Sequence, residues 1–372
     1  MNRIYAPLSK FCDYSNKRIS VNSLSLDNYI STENMLPEKG GITPAASLPT
    51  VKTVSKYSTN EILLSNIRPY FKKIWFADKD GGCSNDVLVL TVKKGNNPKF
   101  IYYVLSDNNF FNYDTITSKG TKMPRGTPRA IMKYLVPNIS RLKQDKIASI
   151  LSAYDNLIEN NNKRIKLLEQ MAENLYKEWF VRFRFPGHET TEFEHGIPKG
   201  WKVERLGNIA KISTGKCNRE DAEEEGVYPL FDRSQEIKKS NEWIKDCEAI
   251  IVPGEGTSFM PRYYCGKFNL HQRCYCIEPN ISNMGKYIFY SVMLNRIYFL
   301  NVATGATVPS LRQNNFTSLK IILPQLNLIK EYDKVISLFF EQIDNLKNQN
   351  TNLIRQRDML LPRLMSGKLE VK

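Results

Sequence analysis

No stretch of this 372-residue chain approaches the roughly 18 consecutive apolar residues of a membrane span. Met1-Asn2-Arg3-Ile4-Tyr5 is not followed by the apolar run of a secretory signal either, so a cytoplasmic protein is expected. The seven cysteines (Cys12, Cys83, Cys217, Cys247, Cys265, Cys274 and Cys276) are odd in number and irregularly spaced, which argues against a disulfide scaffold. Phosphate-cradling motifs are missing. Gly215-Lys216 lacks the glycine five places earlier that a Walker A loop needs, and Gly254-Glu255-Gly256 lacks a third glycine and a following helix. No Asn-Pro-Pro-Tyr-type amino-methyltransferase motif occurs, so no catalytic residue is assigned. Cys265, His271, Cys274 and Cys276 contain no Cys-x-x-Cys pair; buried thiols are preferred to a metal centre, and no metal ligand is assigned.

What is present is positive charge and core-forming material. With 41% hydrophobic and 11% aromatic residues, the chain can bury two ordinary cores. Its formal charge of +15 exceeds what solubility needs and points to a polyanionic partner, nucleic acid first. Residues 1–190 carry the larger share, with basic residues crowded between Lys93 and Lys146. A solvated charged surface is the alternative that composition leaves open.

The chain is also written twice. The stretch from Tyr134 resembles that from Leu319: Pro137 answers Pro324, Asp155-Asn156-Leu157 answers Asp344-Asn345-Leu346, and Leu175 answers Leu364. Weaker echoes precede them, Ala6-Pro7-Leu8 of Glu204-Arg205-Leu206 and Gly120-Thr121-Lys122-Met123-Pro124 of Ala306-Thr307-Val308-Pro309. A period of half the chain is too long for a solenoid. Within the first copy Ile147, Leu151, Tyr154, Ile158, Asn161, Ile165, Leu168, Ala172, Leu175 and Trp179 fall at alternating four- and three-residue steps. Ile336, Phe339, Ile343, Leu346, Asn350, Leu353, Leu360 and Leu364 repeat the seam, with Arg357 as a polar exception. Two long helices that pack on each other are expected. Asn161 and Asn350 occupy equivalent places, either as buried register-setting residues or at a solvated edge. Pro362 is expected to end or kink the second helix.

The globular portions are expected to be mixed. Glu61–Leu64, Asp86–Val92, Ala249–Val252 and Tyr275–Ile277 have strand character, Phe100–Leu105 and Lys286–Leu300 helical character. The turn-rich segment from Phe185 to Gly200 suggests a boundary. The expected fold is α+β: two similar mixed α/β domains, residues 1–137 and 186–323, joined by two long antiparallel helices that form a coiled coil, residues 138–185 and 324–372, with an internal pseudo-two-fold repeat.

In this order, Ile197-Pro198-Lys199-Gly200-Trp201, the Thr304-Gly305-Ala306-Thr307 turn, and the ending Leu360-Leu361-Pro362-Arg363-Leu364-Met365-Ser366-Gly367-Lys368-Leu369 resemble the specificity subunits of Type I restriction-modification enzymes. The likeness covers essentially the whole chain, although the first domain lacks the Gly-Trp phrase. It implies two target-recognition domains reading a split duplex-DNA target, with the helices setting the unread spacer. It further implies two methyltransferase subunits and restriction/translocase subunits as partners, with S-adenosylmethionine, ATP and Mg on those subunits and no cofactor here.

DNA-contact candidates follow from charge and loop context. In the first domain they are Arg68, Lys72 and Lys73 after a strand, beside Tyr70 and Phe71, and Lys119, Lys122, Arg125 and Arg129 in a Gly/Pro-rich loop. In the second they are Arg262, Lys267, His271, Gln272 and Arg273, with Ser310, Arg312 and Gln313 after the Gly305 turn. Each is weighed against an ordinary solvated side chain. A standalone DNA-modifying enzyme and a protein-binding coiled-coil scaffold are the competing functions; missing motifs oppose the first and the basic excess opposes the second.

Overall fold

The computed structural model describes residues 5–223, 225–305 and 307–371; Met1–Ile4 of the chain start and Ala306 of the second turn lie outside the described residues. The chain divides into two compact units, one taking residues up to Asn162 and from Lys347, the other Lys163–Leu346. The division falls inside both long helices, Arg141–Tyr176 and Leu326–Ser366, so each unit holds part of each helix.

Both helices form where the heptad spacing places them. In the first unit the seam residues Ile147, Leu151, Asn161 and Leu364 are buried while the positions between them are largely exposed. Asp155 meets Arg357 and Asn161 meets Asn350, so residue numbers rise along one helix as they fall along the other, and the pairing is antiparallel. Leu361, Leu364 and Met365 pack into the first unit's core. Pro362 does not end the helix, which continues to Ser366. Burial of the residues around it offsets the single backbone hydrogen bond that proline removes. At 1.5 Å per residue the helices are on the order of 54 and 62 Å long.

The globular portion of the first unit is built on two four-stranded sheets. One runs in the order Cys12–Tyr14, Val87–Val92, Ile62–Ser65, Ile74–Phe76. Alternation along its strands serves two cores: Ile62, Leu64 and Leu90 join Phe100, Ile101 and Leu151, whereas Leu63, Val87 and Val89 join Tyr57 and Trp75. The helix Pro98–Leu105 begins at Asn97, whose side chain caps Phe100 N–H and donates to Asp145 on the central helix at 2.6 Å.

The second unit carries a six-stranded sheet ordered Ala210–Thr214, Cys274–Pro279, Lys245–Pro253, Arg262–Leu270, Tyr228–Phe231, Lys238–Ser240. Ile250 and Val252 face the core shared with the helix Gly285–Leu294, and Ala249 and Ile251 face Phe231, Phe268, Cys274 and Cys276. The helical stretch expected from Lys286 to Leu300 breaks at Asn295 into Gly285–Leu294 and Arg296–Val302; the Asn295 amide donates to the Ser291 carbonyl there. Tyr176 of the central helix, with Trp179 and Phe180 of the π-helical turn Lys177–Val181 that continues it, packs on Tyr332 of the terminal helix. Asn283 donates to Asp333 at 2.9 Å, and Lys286 pairs with the same carboxylate at 3.1 Å.

The repeat is structural as well as sequential. Tyr5–Pro7 pairs with Leu135–Pro137, and Lys202–Arg205 with Lys320–Leu323, each joining the start of a globular portion to the strand before a long helix. Leu8 N–H then donates to the Tyr134 carbonyl and Leu206 N–H to the Leu319 carbonyl, both at 2.8 Å. Among the described residues no helix is long and apolar enough to cross a membrane.

Candidate nucleic-acid interface

Each unit brings a glycine turn onto the end of a core strand. In the first, Lys119 and Arg125 exchange two backbone hydrogen bonds of 2.9 Å and close a loop over Gly120, whose φ of 98° suits glycine. The loop docks on the residues after strand Ile62–Ser65: Arg68 N–H donates to the Pro124 carbonyl at 2.8 Å and Gly126 N–H to the Asn66 carbonyl at 3.0 Å. In the second, Thr304 and Ser310 exchange the same pair at 2.9 and 2.8 Å over Gly305, φ 119°. Gly256 N–H donates to the Pro309 carbonyl at 3.0 Å and Leu311 N–H to the Gly254 carbonyl at 2.8 Å. Asn66-Ile67-Arg68 and Gly254-Glu255-Gly256 are thus equivalent, as are the paired residues Lys119 with Arg125 and Thr304 with Ser310.

Around the first platform the side chains are cationic. Lys119, Lys122, Arg125 and Arg129 are exposed. Arg125 lies 3.2 Å from Asp86, a surface pair that steers the side chain more than it stabilises the fold. Lys72 pairs with Glu38 at 3.0 Å. Lys73 is partly buried, donates to the Thr32 carbonyl at 2.7 Å, and has its pKa lowered by that burial. The structure therefore unites the two candidate groups of the first domain, which lie about fifty residues apart in sequence.

The second set divides. Arg273 and Arg312 are exposed, and Arg273 shares Glu255 with Arg233 at 3.5 and 2.6 Å. Gln272 is held by the Asn218 side chain at 2.7 Å. Ser310 closes the loop, and the exposed Gln313 donates to the Ile212 carbonyl at 3.0 Å. His271 is buried: its Nδ1 accepts from Arg273 N–H at 3.0 Å, and burial, then nearby Arg233, lowers its pKa. Arg262 is half-buried against Phe231 and donates to the Ser234 carbonyl. Lys267 sits opposite Asp246 with its ammonium 4.7 Å from the centre of the Trp243 ring. Cys265 is exposed, whereas Cys274 and Cys276 line the inner core, where burial pushes the Cys274 thiol up to about 12. Arg233 joins the cluster without having been singled out in sequence. Its signal is the Asp232-Arg233-Ser234 turn, in which Lys238 and Ser234 hold the Asp232 carboxyl down at about 2 against the opposing effect of burial.

Between the helices, Asn161 Nδ2 donates to Asn350 Oδ1 at 2.9 Å and Asn350 Nδ2 to Asn162 Oδ1 at 2.8 Å. Asn161 and Asn350 are 5% and 8% exposed, which places them in the buried seam and not at a solvated edge. About two helical turns away, Arg357 pairs with Asp155 at 2.7 Å, and the Tyr103 hydroxyl donates to Asp155 at 2.5 Å. The seam's polar exceptions are therefore partnered.

The model of the Type I restriction modification DNA specificity domain matches residues 9–170 and again residues 198–356. The chain is 28% identical over 317 residues to the Type I restriction enzyme MjaIX specificity subunit of Methanocaldococcus jannaschii, covering 75% of this chain and 71% of that protein. It is 29% identical over 177 residues to the Type I restriction enzyme EcoDI specificity subunit of Escherichia coli, covering 46% and 39%. The S subunit of a Type-I restriction-modification system from M. genitalium shares its fold, with a TM-score of 0.59 at 15% identity over 100% of this chain and 97% of that one. With two specificity-domain matches spanning most of its length, and the same platform built in each of its two units, this chain belongs to the Type I restriction-modification DNA specificity family.

Proposed function

We propose that each globular portion, residues 1–137 and 186–323, recognises one half of a split duplex-DNA target. The helical segments 138–185 and 324–372 set the number of unread base pairs between the halves and dock two methyltransferase subunits, which restriction/translocase subunits join. In this reading the chain performs no catalysis; S-adenosylmethionine, ATP and Mg belong to the partners. The observation that carries the reading is the duplicated platform, two copies of one loop-on-strand arrangement with exposed cations around each. Lysine and arginine there would neutralise phosphates and supply affinity, while neighbouring polar side chains such as Gln272 and Gln313 would meet base edges. Asn161 and Asn350 would hold the helix register that defines the spacer. Co-expression with a partner methyltransferase subunit, followed by methylation mapping, tests it: a split motif is expected, and a continuous motif or none overturns the reading.

A further inference from the structure

The first platform carries a feature that its counterpart lacks. Pro69–Phe71 forms a single 3-10 turn bounded on both sides by left-handed residues, Arg68 at φ 50° and Lys72 at φ 52°. Beside it, Glu38 and Lys39 are also left-handed at φ 51° and 62°, and their N–H groups donate to the Phe71 and Lys72 carbonyls at 2.9 and 3.0 Å. Four of the nine described non-glycine residues with positive φ therefore crowd one locus, the kind of stored strain that marks a displayed functional turn. What the turn displays is apolar. Tyr70 and Phe71 are 46% and 38% exposed, with ring centroids 4.8 Å apart, and Lys73 lies 5.7 Å from the Phe71 centroid.

The equivalence of Arg68 with Gly256 makes Phe259 the counterpart of Phe71. Phe259 is left-handed too, at φ 44°, but only 1% exposed within the second unit's core. One platform buries its aromatic, and the other presents an adjacent pair among Arg68, Lys72, Lys119, Lys122 and Arg125. Water alone would not favour that display, and the surrounding charge selects a polyanion with apolar faces.

We propose that Tyr70 and Phe71 form an aromatic wedge that stacks on a nucleobase of duplex DNA at the half-site contacted by the first unit. This rests on the DNA-recognition reading above and assigns it a specificity element present in one unit only. An inserted aromatic partially unstacks a base step, and the cations around it hold the flanking phosphates.

The test uses the full chain purified with its co-expressed methyltransferase subunit, and duplexes bearing the mapped motif with 2-aminopurine at single positions along each half. Wild-type complex is expected to raise the fluorescence at one step of one half-site. Tyr70→Ala and Phe71→Ala should abolish that rise and weaken binding roughly ten- to a hundredfold, with the salt dependence unchanged because no phosphate contact is lost. Tyr70→Trp should preserve both signals. Both rings are exposed, so the thermal unfolding of the alanine variants should match wild type. Alanine variants with wild-type affinity and fluorescence overturn the proposal. So does weakened binding with a shallower salt slope, which would make the turn a phosphate clamp. Loss of the methyltransferase subunit with DNA binding intact overturns it as well, in favour of a protein contact. Wild-type complex without salt-sensitive duplex binding removes the parent reading instead, and the wedge with it.

Discussion

Asp114→Asn should stabilise the first unit, and increasingly so as pH rises. Asp114 lies on the helix Asn108–Thr117, is fully buried, and neither carboxylate oxygen has a hydrogen-bond partner among the described residues. Asn66 Oδ1 is a second buried acceptor without a partner, and a methyl group built on Gly126 would lie 2.7 Å from Asp114 Oδ1 and 2.9 Å from Asn66 Oδ1. Two acceptors therefore converge beneath the Lys119–Arg125 loop. Burial pushes the Asp114 carboxyl up from 3.8 to about 7. A carboxyl raised in the folded state favours folding fully below the unfolded value, and this contribution is lost as pH climbs through the folded one. At about 1.4 kcal/mol per pH unit between the two values, burying this carboxyl costs on the order of 4 kcal/mol above pH 7, where it is ionised in the fold, and roughly half of that at pH 5.5, where it must take up a proton on folding. An amide at position 114 never ionises and offers Asn66 Oδ1 a donor. Native-state hydrogen exchange of the strand Ile62–Ser65 in graded urea should therefore show the advantage of Asp114→Asn growing by about 2 kcal/mol between pH 5.5 and pH 8. An advantage equal at both pH values, or an Asp114 carboxyl that titrates near 4 by NMR, would refute the reasoning.

Replacing Asn161 alone by leucine should cost about 1–3 kcal/mol, because it leaves Asn350 Oδ1 in the seam without its donor; adding Asn350→Leu should recover most of it, as urea denaturation of the three variants would show. Seven residues added to each helix, beside Asn161 and Asn350, lengthen the pair by about 10 Å, roughly three base pairs; the mapped spacer should grow while both half-site sequences persist. Lys122→Ala should lower the slope of log affinity against log salt by about 0.9, whereas His271→Ala, a change at a buried side chain, should lower thermal stability and leave the slope unchanged.

The α+β architecture, the two antiparallel helices and the duplication were all legible in the sequence, because a heptad seam is a local pattern that one helix displays by itself: Ile147 through Trp179 states its face before any partner is known. Even Asn161 and Asn350 could be named in advance, although only their mutual hydrogen bond and burial place them in the seam. The sequence also duplicates Lys99-Phe100-Ile101-Tyr102-Tyr103 as Lys286-Tyr287-Ile288-Phe289-Tyr290, the helices whose starts are tied to Asp145 and Asp333. The platforms were not legible, since residues 66–68 and 119–126 meet through backbone hydrogen bonds across more than fifty positions, and such pairing leaves no periodic trace. Side-chain direction at loops escaped for the same reason. His271 and Arg273 look alike as loop cations, yet the turn after Leu270 buries one and exposes the other. Phe71 and Phe259 occupy one position in the repeat, and only tertiary packing decides that the second fills a core while the first faces outward.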